Sequence, residues 1–592
     1  MTLPPTCMKT HRKSISPVVQ RLAWVVSVAT LMLLAVDGTR AATEFAGLDA
    51  VQESNVRALM PLASTGCDSA YWRVERLFRD ADKNIVEALQ ALGYYEPTIS
   101  KQLSRSDDCW LARFDIQPGA PVRIRSAEFA VVGAADSDPL YRSRLLTPAP
   151  ANGDILNHGL YDSFKSSMLR AAINSGYFDA DFERSEVIVD RAAKTVDIRL
   201  QFNSGEKYQF GAVSFTDGIL RQRLLKGYTD IKPGDPYTAK SINDLYEALN
   251  GSSYFSTVSI STEPLNTSEK TVPVTVNLTA AKRRVYSIGL GYTTDTGPHG
   301  RLGYTDRRIN DKGHQFESKL YVSPVRSELN AAYRWPRNDP RREWFSIVAG
   351  AKQEKTDTNE SDIYKLGILR SRNVGSAWLE TRYVDYAYEN FIVGDQDTTS
   401  QLVIFGTNWE TAIGRALSRA RNGYRFSFDL RGASDALGSD TSFLQTRIKA
   451  KWIHSLGGKT RVSAQSNLGL TRKDALSELP ASVRFFAGGD RSVRGYDFES
   501  LGPTNADGDV IGGAHLFDAS LEMDYLFKPQ WAVAAFVDIG NAFNETDFDL
   551  KTGVGIGIRW YSPVGPIRFD VAHPLDNPDE NFRIHISLGP DL

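Results

Sequence analysis

Charge imbalance, long apolar runs and catalytic clusters are all missing from most of this chain. Its 592 residues carry 69 Lys and Arg against 71 Asp and Glu, and no basic block indicates a nucleic-acid partner. The 8 histidines are scattered. None lies in a Gly-x-Ser-x-Gly or carboxylate–His arrangement, which argues against an enzyme such as a protease or lipase, and we interpret His573 and His585 as incidental. Beyond the N-terminus no stretch approaches the roughly 20 apolar residues of a membrane helix, which leaves a soluble protein or a β-barrel.

The first 41 residues have the order of a secretory signal peptide. Cationic residues come first, then an apolar run, then a small-x-small cleavage site. An N-terminal membrane anchor is the alternative, but the apolar run is shorter than the roughly 20 residues needed to span a bilayer. We therefore predict a signal peptide over 1–41, built from Lys9, Arg12, Lys13, Arg21, Leu22–Val36 and Thr39-Arg40-Ala41.

Cysteine is scarce, with 3 in the whole chain. Cys7 would leave with the signal, so the mature chain keeps Cys67 and Cys109. In an oxidising periplasm these two would pair and close a loop of about 40 residues, worth on the order of 3–4 kcal/mol. Two free thiols are the alternative. No metal-ligand spacing surrounds either residue, so we predict a structural disulfide and no metal or cofactor.

Residues 43–283 contain an internal repeat of the size of a small α+β unit. Its marker is a helix that ends in Gly/Ser-aromatic-aromatic and is followed by strands. We interpret the aromatic pairs as packing of the helix end on the sheet rather than as peptide-binding sites, and an open sheet edge as a better place for an extended client. The predicted helices are Asp82–Leu92, Tyr161–Asn174 and Lys240–Asn250, and the predicted units are 43–122, 123–205 and 206–283.

From residue 284 to residue 592 apolar and polar residues alternate, which indicates strands with two different faces. Allowing roughly 19 residues per strand and connection, this region predicts an antiparallel transmembrane β-barrel of about 16 strands. Near the C-terminus tight turns such as Lys528-Pro529-Gln530 alternate with longer loops such as Gly540–Thr552. Both ends of an even barrel lie on the same side, so we expect residues 43–283 in the periplasm.

A long loop, Gly488–Phe517, precedes the last five strands and contains Val493-Arg494-Gly495-Tyr496. If this loop folds back into the lumen, Arg494 would meet carboxylates on the strands that follow, and its guanidinium suits pairing with two oxygens. Ordinary solvated lumen charges are the alternative. The charged residues on the inward faces are Glu522, Asp538, Arg559, Arg568, Asp570 and Arg583.

Four ordered motifs carry a family resemblance. Gly489-Asp-Arg-Ser-Val-Arg-Gly-Tyr496 resembles the lid-loop motif of the BamA/TamA superfamily of POTRA-containing outer-membrane barrels. Ala519–Met523, Phe536–Asn541 and Gly557–Asp570 are similar to the strand motifs that follow it. Three repeats fit the TamA type better than BamA, which carries five. One departure is the ending Pro590-Asp591-Leu592, since such barrels usually end in an aromatic residue.

The resemblance implies roles for particular residues. Arg494 would be the lid-loop arginine with Glu522 and Asp538 as its lumen partners, and Val493, Gly495 and Tyr496 would shape the turn. A lateral seam would lie between the first strand, Val285–Tyr292, and the last, Asn581–Leu588, and Leu290 and Ile584 are a trial pair for cross-linking it. The predicted seam residues are Tyr286, Ile288, Gly289, Leu290, Gly291, Phe582, Ile584, Ile586 and Leu588.

The resemblance also implies a function. Such a protein would sit in the outer membrane of a Gram-negative bacterium and insert or translocate unfolded β-rich clients, autotransporters above all. It would work with an inner-membrane-anchored TamB-type partner that docks on the periplasmic repeats. A two-partner-secretion export pore and a role in phospholipid transport remain as alternatives; the export pores carry two repeats and a plug helix.

Overall fold

The order of helices and strands follows the two patterns of the sequence: the α/β units come first, and strands alone follow. The computed structural model describes residues 42–105, 109–138, 149–216, 218–262, 269–375, 377–414, 419–545, 549–562, 565–577 and 582–588. The predicted signal peptide lies outside these residues. Among these residues, those up to residue 208 and those from residue 209 onward form two compact bodies. No helix in the described ranges is long and apolar enough to cross a bilayer.

The first α/β unit packs two helices on a small mixed sheet. Its central strand pairs parallel with one neighbour and antiparallel with the other. The Asp49 side chain caps the first helix by accepting from the backbone N–H of Gln52, and the Gln52 side chain accepts from the backbone N–H of Asp49. Cys67 and Cys109 form a disulfide across this unit. The elements are β1 Ala42–Ala46, α1 Ala50–Leu59, a 3₁₀ turn Pro61–Ser64, α2 Tyr71–Gln90, β2 Thr98–Arg105 and β3 Trp110–Gln117, in the sheet order β1-β3-β2.

The predicted helix Asp82–Leu92 is only the second half of α2, which begins at Tyr71 and ends at Gln90. Its buried residues continue the helical spacing back to Val74. The earlier turns were missed because charged residues separate the few apolar positions there. The marker that follows the helix was read correctly as packing, since Tyr94 lies against the core of this unit.

The second and third α/β units repeat this sheet, with a parallel and an antiparallel neighbour around a central strand. Tyr177 and Tyr254, from the aromatic pairs, are buried in them. The second has β4 Arg123–Val132, a 3₁₀ turn Ala134–Ser137, α3 His158–Asn174, β5 Asp181–Asp190 and β6 Thr195–Asn203. The third has β7 Gln209–Phe215, α4 Gln222–Lys226, α5 Ala239–Asn250, β8 Phe255–Ser261 and β9 Thr271–Ala280.

Sixteen antiparallel strands form a closed barrel, which confirms the predicted count and class. A 3₁₀ turn, Asp435–Leu437, lies in one connection. The strands are β10 Arg284–Thr293, β11 Gly297–Asp306, β12 Gln315–Val322, β13 Arg326–Pro336, β14 Glu343–Lys355, β15 Asn359–Val374, β16 Trp378–Val393, β17 Gln396–Ile413, β18 Gly423–Ala433, β19 Phe443–Leu456, β20 Thr460–Lys473, β21 His515–Lys528, β22 Trp531–Phe543, β23 Lys551–Ser562, β24 Gly565–Pro574 and β25 Arg583–Leu588.

Alternation along the strands separates an apolar outer face from a polar inner one. On β21, Leu521, Met523 and Tyr525 are exposed on the outside. Asp524, which lies between Met523 and Tyr525, is buried inside. This is the pattern of a barrel that faces lipid outside and a polar lumen inside. It places the charged side chains of β21 to β25 on the lumen side, where the long loop before β21 can reach them.

The third α/β unit contacts two turns at one end of the barrel. Arg341 donates both of its terminal nitrogens to Asp230 at 2.9 Å, and Arg221 donates to Asp311 at 2.7 Å. The buried Tyr254 hydroxyl donates to the Gly313 carbonyl of the β11–β12 turn. This unit is therefore fixed to the barrel at the end opposite the loop that contains Arg494.

Candidate functional site

The loop between β20 and β21, residues 474–514, is the lid loop. It begins earlier than the predicted Gly488, and Phe517 already lies in β21. Its apolar side chains pack with β21 and β22 in one buried cluster, which consists of Phe485, Ala487, Val493, Tyr496, Leu501, Leu516 and Ala542. The backbone of Ala487 pairs with that of Leu501 in both directions. The lid loop is therefore an ordered structure held against the inner wall.

Arg494 lies at the centre of this loop with its guanidinium paired to Asp538 on β22. Nε donates to one carboxylate oxygen at 2.7 Å and Nη2 to the other at 3.0 Å, a bidentate pair. The Arg494 backbone N–H also donates to this carboxylate, at 3.2 Å. Nη2 reaches the Ser520 hydroxyl at 3.3 Å, and the guanidinium lies 3.4 Å from the centroid of the Phe536 ring, a cation–π contact.

Two further carboxylates and a second arginine complete the group. Arg494 Nη1 donates to Glu522 at 3.0 Å and to Asp570 at 3.1 Å. Arg559 on β23 donates to Glu522 from two nitrogens, at 3.2 and 2.8 Å, and also to Asp570. Two arginines thus share three carboxylates, counting Asp538. Each charged group has partners, which is the condition under which burial of charges is tolerated.

Arg494 stays charged in this place. Burial alone would lower the pKa of its guanidinium, but the hydrogen bonds and charge of Asp538, followed by the charges of Glu522 and Asp570, raise that pKa above its usual value. Removing one partner of such a buried pair costs roughly 3–5 kcal/mol, because the remaining charge is left uncompensated. The lid loop is accordingly held by electrostatics as well as by its apolar cluster.

Two glycines allow the close approach of the lid loop to the wall. Gly495 has φ +102, a conformation that side chains disfavour. On β23, a Cβ on Gly553 would lie 1.9 Å from the Arg494 carbonyl oxygen. The Gly495 requirement was predicted from the motif, whereas Gly553 gives no signal in the sequence that separates it from the other glycines of its strand.

The rest of the lid loop is fixed to the opposite wall. Ser482 donates its backbone N–H to Glu389 on β16 at 3.0 Å. Within the loop, Arg484 donates to the carbonyls of Leu479 at 2.8 Å and Ile511 at 3.1 Å. Asn359 on β15 donates to Glu499 at 2.9 Å. Burial, followed by the charge of Glu354, raises the pKa of Glu499 to about 7.

The seam between the first and last strands is thin. In the described ranges, Thr293 and Ser587 are the only residue pair of β10 and β25, whereas β10 shares ten pairs with β11 and β25 shares six with β24. This register places Thr293 opposite Ser587 rather than Leu290 opposite Ile584. One residue further along, the Thr294 N–H donates to the Ile586 carbonyl at 3.1 Å.

The predicted seam residues divide by face. The outward side chains are exposed, with Tyr286 at 70%, Ile288 at 78% and Leu290 at 82%. Gly291 faces His299, whose ring would meet a Cβ at 2.3 Å. On the other edge Phe582 precedes β25 and is exposed, and Asn581 lies outside the described residues. Within β25, Ile584 is exposed, and Ile586 bonds across the seam to Thr294 through both its backbone carbonyl and its backbone N–H. Leu588 pairs with Ile567 on β24, and Gly289 on β10 pairs with Arg301 on β11.

His585 was interpreted as incidental, and the structure contradicts this. Its Nε2 accepts the Gly495 N–H at 2.9 Å, and its Nδ1 lies 2.6 Å from Asp490 on the lid loop. Sequence reasoning missed this histidine because its partners lie 90 and 95 residues away along the chain. The alternating pattern could only place it on the inward face of the last strand.

Comparisons with known proteins agree with the fold and the motifs. The Omp85 superfamily domain matches residues 196–591, and POTRA domain TamA domain 1 matches residues 43–118. BamA of Nitratidesulfovibrio vulgaris is 24% identical over 61% of this chain and 48% of its own length. BamA of Neisseria meningitidis is 20% identical over 87% of this chain and 73% of its own.

Among solved structures, BamA from Haemophilus ducreyi lacking POTRA domains 1–3 has a TM-score of 0.65 with 16% identity, over 79% of this chain and 99% of that one. That likeness shows a shared fold. The chain spans about half the length of the N. vulgaris relative. The Omp85 match covers about two thirds of the chain and includes the whole barrel. The chain therefore belongs to the Omp85 superfamily.

Proposed function

We propose that this protein is an outer-membrane assembly factor that inserts or translocates β-rich clients by opening the seam between β10 and β25. Omp85 proteins with POTRA domains are outer-membrane proteins of Gram-negative bacteria, and they are assembly or transport factors rather than enzymes. The observation that carries the proposal is the single residue pair, Thr293 with Ser587, between the described parts of the two strands.

A thin seam supports templating for a physical reason. A strand edge in lipid leaves backbone N–H and C=O groups without partners, which costs several kcal/mol per group. An incoming extended segment supplies those partners by edge addition. The exposed Tyr286, Ile288 and Leu290 show that the outer face of β10 is apolar. A client strand that pairs with β10 would thus enter the bilayer with its hydrogen bonds already made.

The lid loop has a defined place in this proposal. Arg494 fixes the loop to β22 and β21 through Asp538 and Glu522, so the lumen beside the seam is occupied while the seam is closed. A secretion pore would require the loop to leave the lumen before an unfolded chain could pass. The presence of the lid loop in the lumen therefore favours insertion of clients at the seam over their export through the centre of the barrel.

The α/β units are the proposed site for partners. The TamA-type match over residues 43–118 supports a POTRA function for the first unit. We extend this function to the second and third units because each has the same arrangement of a parallel and an antiparallel strand. An inner-membrane TamB-type protein would dock there and unfolded clients would approach from the periplasm. Phospholipid passage with the same partner is the second candidate.

A cross-link between Thr293→Cys and Ser587→Cys tests the proposal. Residues directly opposite on antiparallel strands have Cα atoms roughly 4.5–5.5 Å apart, within the range of a disulfide. We expect the oxidised variant in lipid vesicles to lose most client insertion and to regain it on reduction. The control is Ala332→Cys with Val348→Cys, a lumen-facing pair on β13 and β14, which should leave insertion unchanged. Full insertion by the oxidised seam variant would contradict the proposal.

A further inference from the structure

Three ionisable side chains from three different elements meet at the lid-loop end of the seam. Asp295 lies in the turn between β10 and β11, Asp490 lies on the lid loop and His585 lies on β25. Their nitrogen and oxygen atoms lie within 4.8 Å of one another. The side chains of Asp490 and His585 are 4% and 3% exposed. This group lies beside Thr293 and Ser587, the residue pair that β10 and β25 share in the described ranges, and we call it the clasp.

The protons in the clasp can be assigned from the backbone. His585 Nε2 accepts the Gly495 N–H at 2.9 Å, so Nε2 carries a lone pair. In the neutral ring the proton is then on Nδ1, which donates to Asp490 Oδ1 at 2.6 Å. A metal ion on Nδ1 would require the proton on Nε2, where it would face the Gly495 N–H donor to donor. The clasp is therefore a group of side chains joined by hydrogen bonds rather than a metal site.

Asp490 reaches both edges of the seam at once. Its Oδ2 accepts the Thr294 N–H at 3.2 Å, while its Oδ1 accepts from His585 on the last strand. Its backbone N–H donates to Asp295 Oδ2 at 2.8 Å. The residue before it must be small, since a Cβ on Gly489 would lie 2.8 Å from Asp295. A single lid-loop carboxylate thus bridges the first hairpin and the last strand.

We propose that the clasp couples the lid loop to the seam, so that the seam is held closed while Asp490 is in place and is released when the lid loop withdraws. This inference deepens the proposed function, on which it rests, by assigning the control of seam opening to Asp490, His585 and Asp295. These are positioning residues. The coupling is direct, because His585 also accepts from Gly495, the residue next to Arg494. Movement of the Arg494 turn therefore breaks bonds on both sides of the ring.

Acidity modulates the clasp through the two adjacent carboxylates. Burial, followed by the charge of Asp490, raises the pKa of Asp295 to about 7. The charged or titratable groups that face this pair are Arg491 on the lid loop, His585 on β25, and Asp570 on β24, which pairs in register with His585. A protonated Asp295 can donate to Asp490, whereas two ionised carboxylates repel. Because the pKa is raised above the usual value of roughly 4, clasp stability falls as the pH rises from about 4 through about 7.

Hydrogen exchange of the seam amides tests the proposal without any client. The Thr294 and Ile586 amides donate across the seam, so their exchange, corrected for intrinsic rates, reports its opening. In nanodiscs, Asp490→Ala should raise their opening about tenfold or more. Asp507→Ala, an exposed lid-loop aspartate, is the matched control and should change nothing. Unchanged protection in Asp490→Ala would overturn the proposal.

A second variant distinguishes the clasp from general damage to the lid loop. In the parent protein we expect greater opening of the seam amides at pH 8 than at pH 6. Asp295→Asn keeps the acceptor and removes the ionisation, so this pH difference should disappear in the variant. A parent protein with no such difference, or a variant that keeps it, would contradict the proton step. Since no client is present, these results are independent of the cross-linking test. A seam that opens through the clasp but inserts no client would contradict the proposed function alone.

Discussion

At the scale of single residues, Arg494 is fixed by geometry that other cations cannot copy. Its planar guanidinium makes a bidentate pair with Asp538 and still reaches Glu522 and Asp570 from Nη1. It also stacks over the Phe536 ring. A lysine has the same charge but a single tetrahedral head and no planar face. Charge alone therefore does not explain the residue, and its shape can be tested separately.

Arg494→Lys should loosen the lid loop while the barrel remains folded. The bidentate pair and the ring contact are lost, and the free energy of lid opening should fall by about 1–3 kcal/mol. Hydrogen exchange of the Ala487 and Leu501 amides, which pair within the lid loop, measures this opening. The matched control is Arg472→Lys on the exposed face of β20. Equal protection in the two variants would show that only the charge of Arg494 matters.

At the scale of elements, β23 is shaped to receive the lid loop. The strand places Gly553 opposite Asp538 on β22, directly under the Arg494 carbonyl. A methyl group there would overlap that oxygen, so either the loop or the strand must move. The same strand carries Arg559, which shares Glu522 and Asp570 with Arg494. Strand β23 thus supplies both the space for the lid loop and a positive charge for the two carboxylates that Arg494 binds through Nη1.

Gly553→Ala should displace the lid loop without removing any charged group. Overpacking of this kind costs about 1–3 kcal/mol, and we expect it to appear as faster exchange of the Ala487 and Leu501 amides and greater opening of the seam. Gly458→Ala, in the β19–β20 turn, adds the same methyl group to open space and should leave both unchanged. If Gly553→Ala behaves like Gly458→Ala, the close approach seen here does not limit the lid loop.

The elements also show how far the sequence can be read. Period-two alternation predicted the barrel and the inward face of Asp538, because side-chain direction is a local property of a strand. It could not give the register of the seam, since a shift by two residues leaves every face unchanged. In the structure Thr293 lies opposite Ser587, although the pattern allowed Leu290 opposite Ile584 equally well. His585 was misread for a related reason, since its partners come from a loop distant in sequence.

At the scale of the whole molecule, the chain is built from bodies that hold separate cores. The core of the first α/β unit is made of its own residues, with Val56, Ile85 and Phe114 among them. The barrel is held by its strand ladder and its lid loop. The buried cluster around Val493 and Tyr496 is made of residues of the lid loop and of β21 and β22. A loss of stability in the core of the first unit should therefore stay within that unit. Removal of the disulfide tests this expectation.

Replacing the disulfide, as Cys67→Ser with Cys109→Ser, should destabilise the first α/β unit alone. The cysteines are 42 residues apart, and removing a cross-link of this span should lower the free energy of unfolding of that unit by about 3–4 kcal/mol. Proteolysis of residues 43–118 at rising urea concentration measures this loss. The heat-modifiable migration of the barrel on a gel should be unchanged, because its closure depends on pairing among its own strands. If partner docking rests on the first unit, client insertion should then fail at urea concentrations that the barrel itself survives. Simultaneous loss of both bodies in the variant would mean that the barrel depends on the first unit for its own stability.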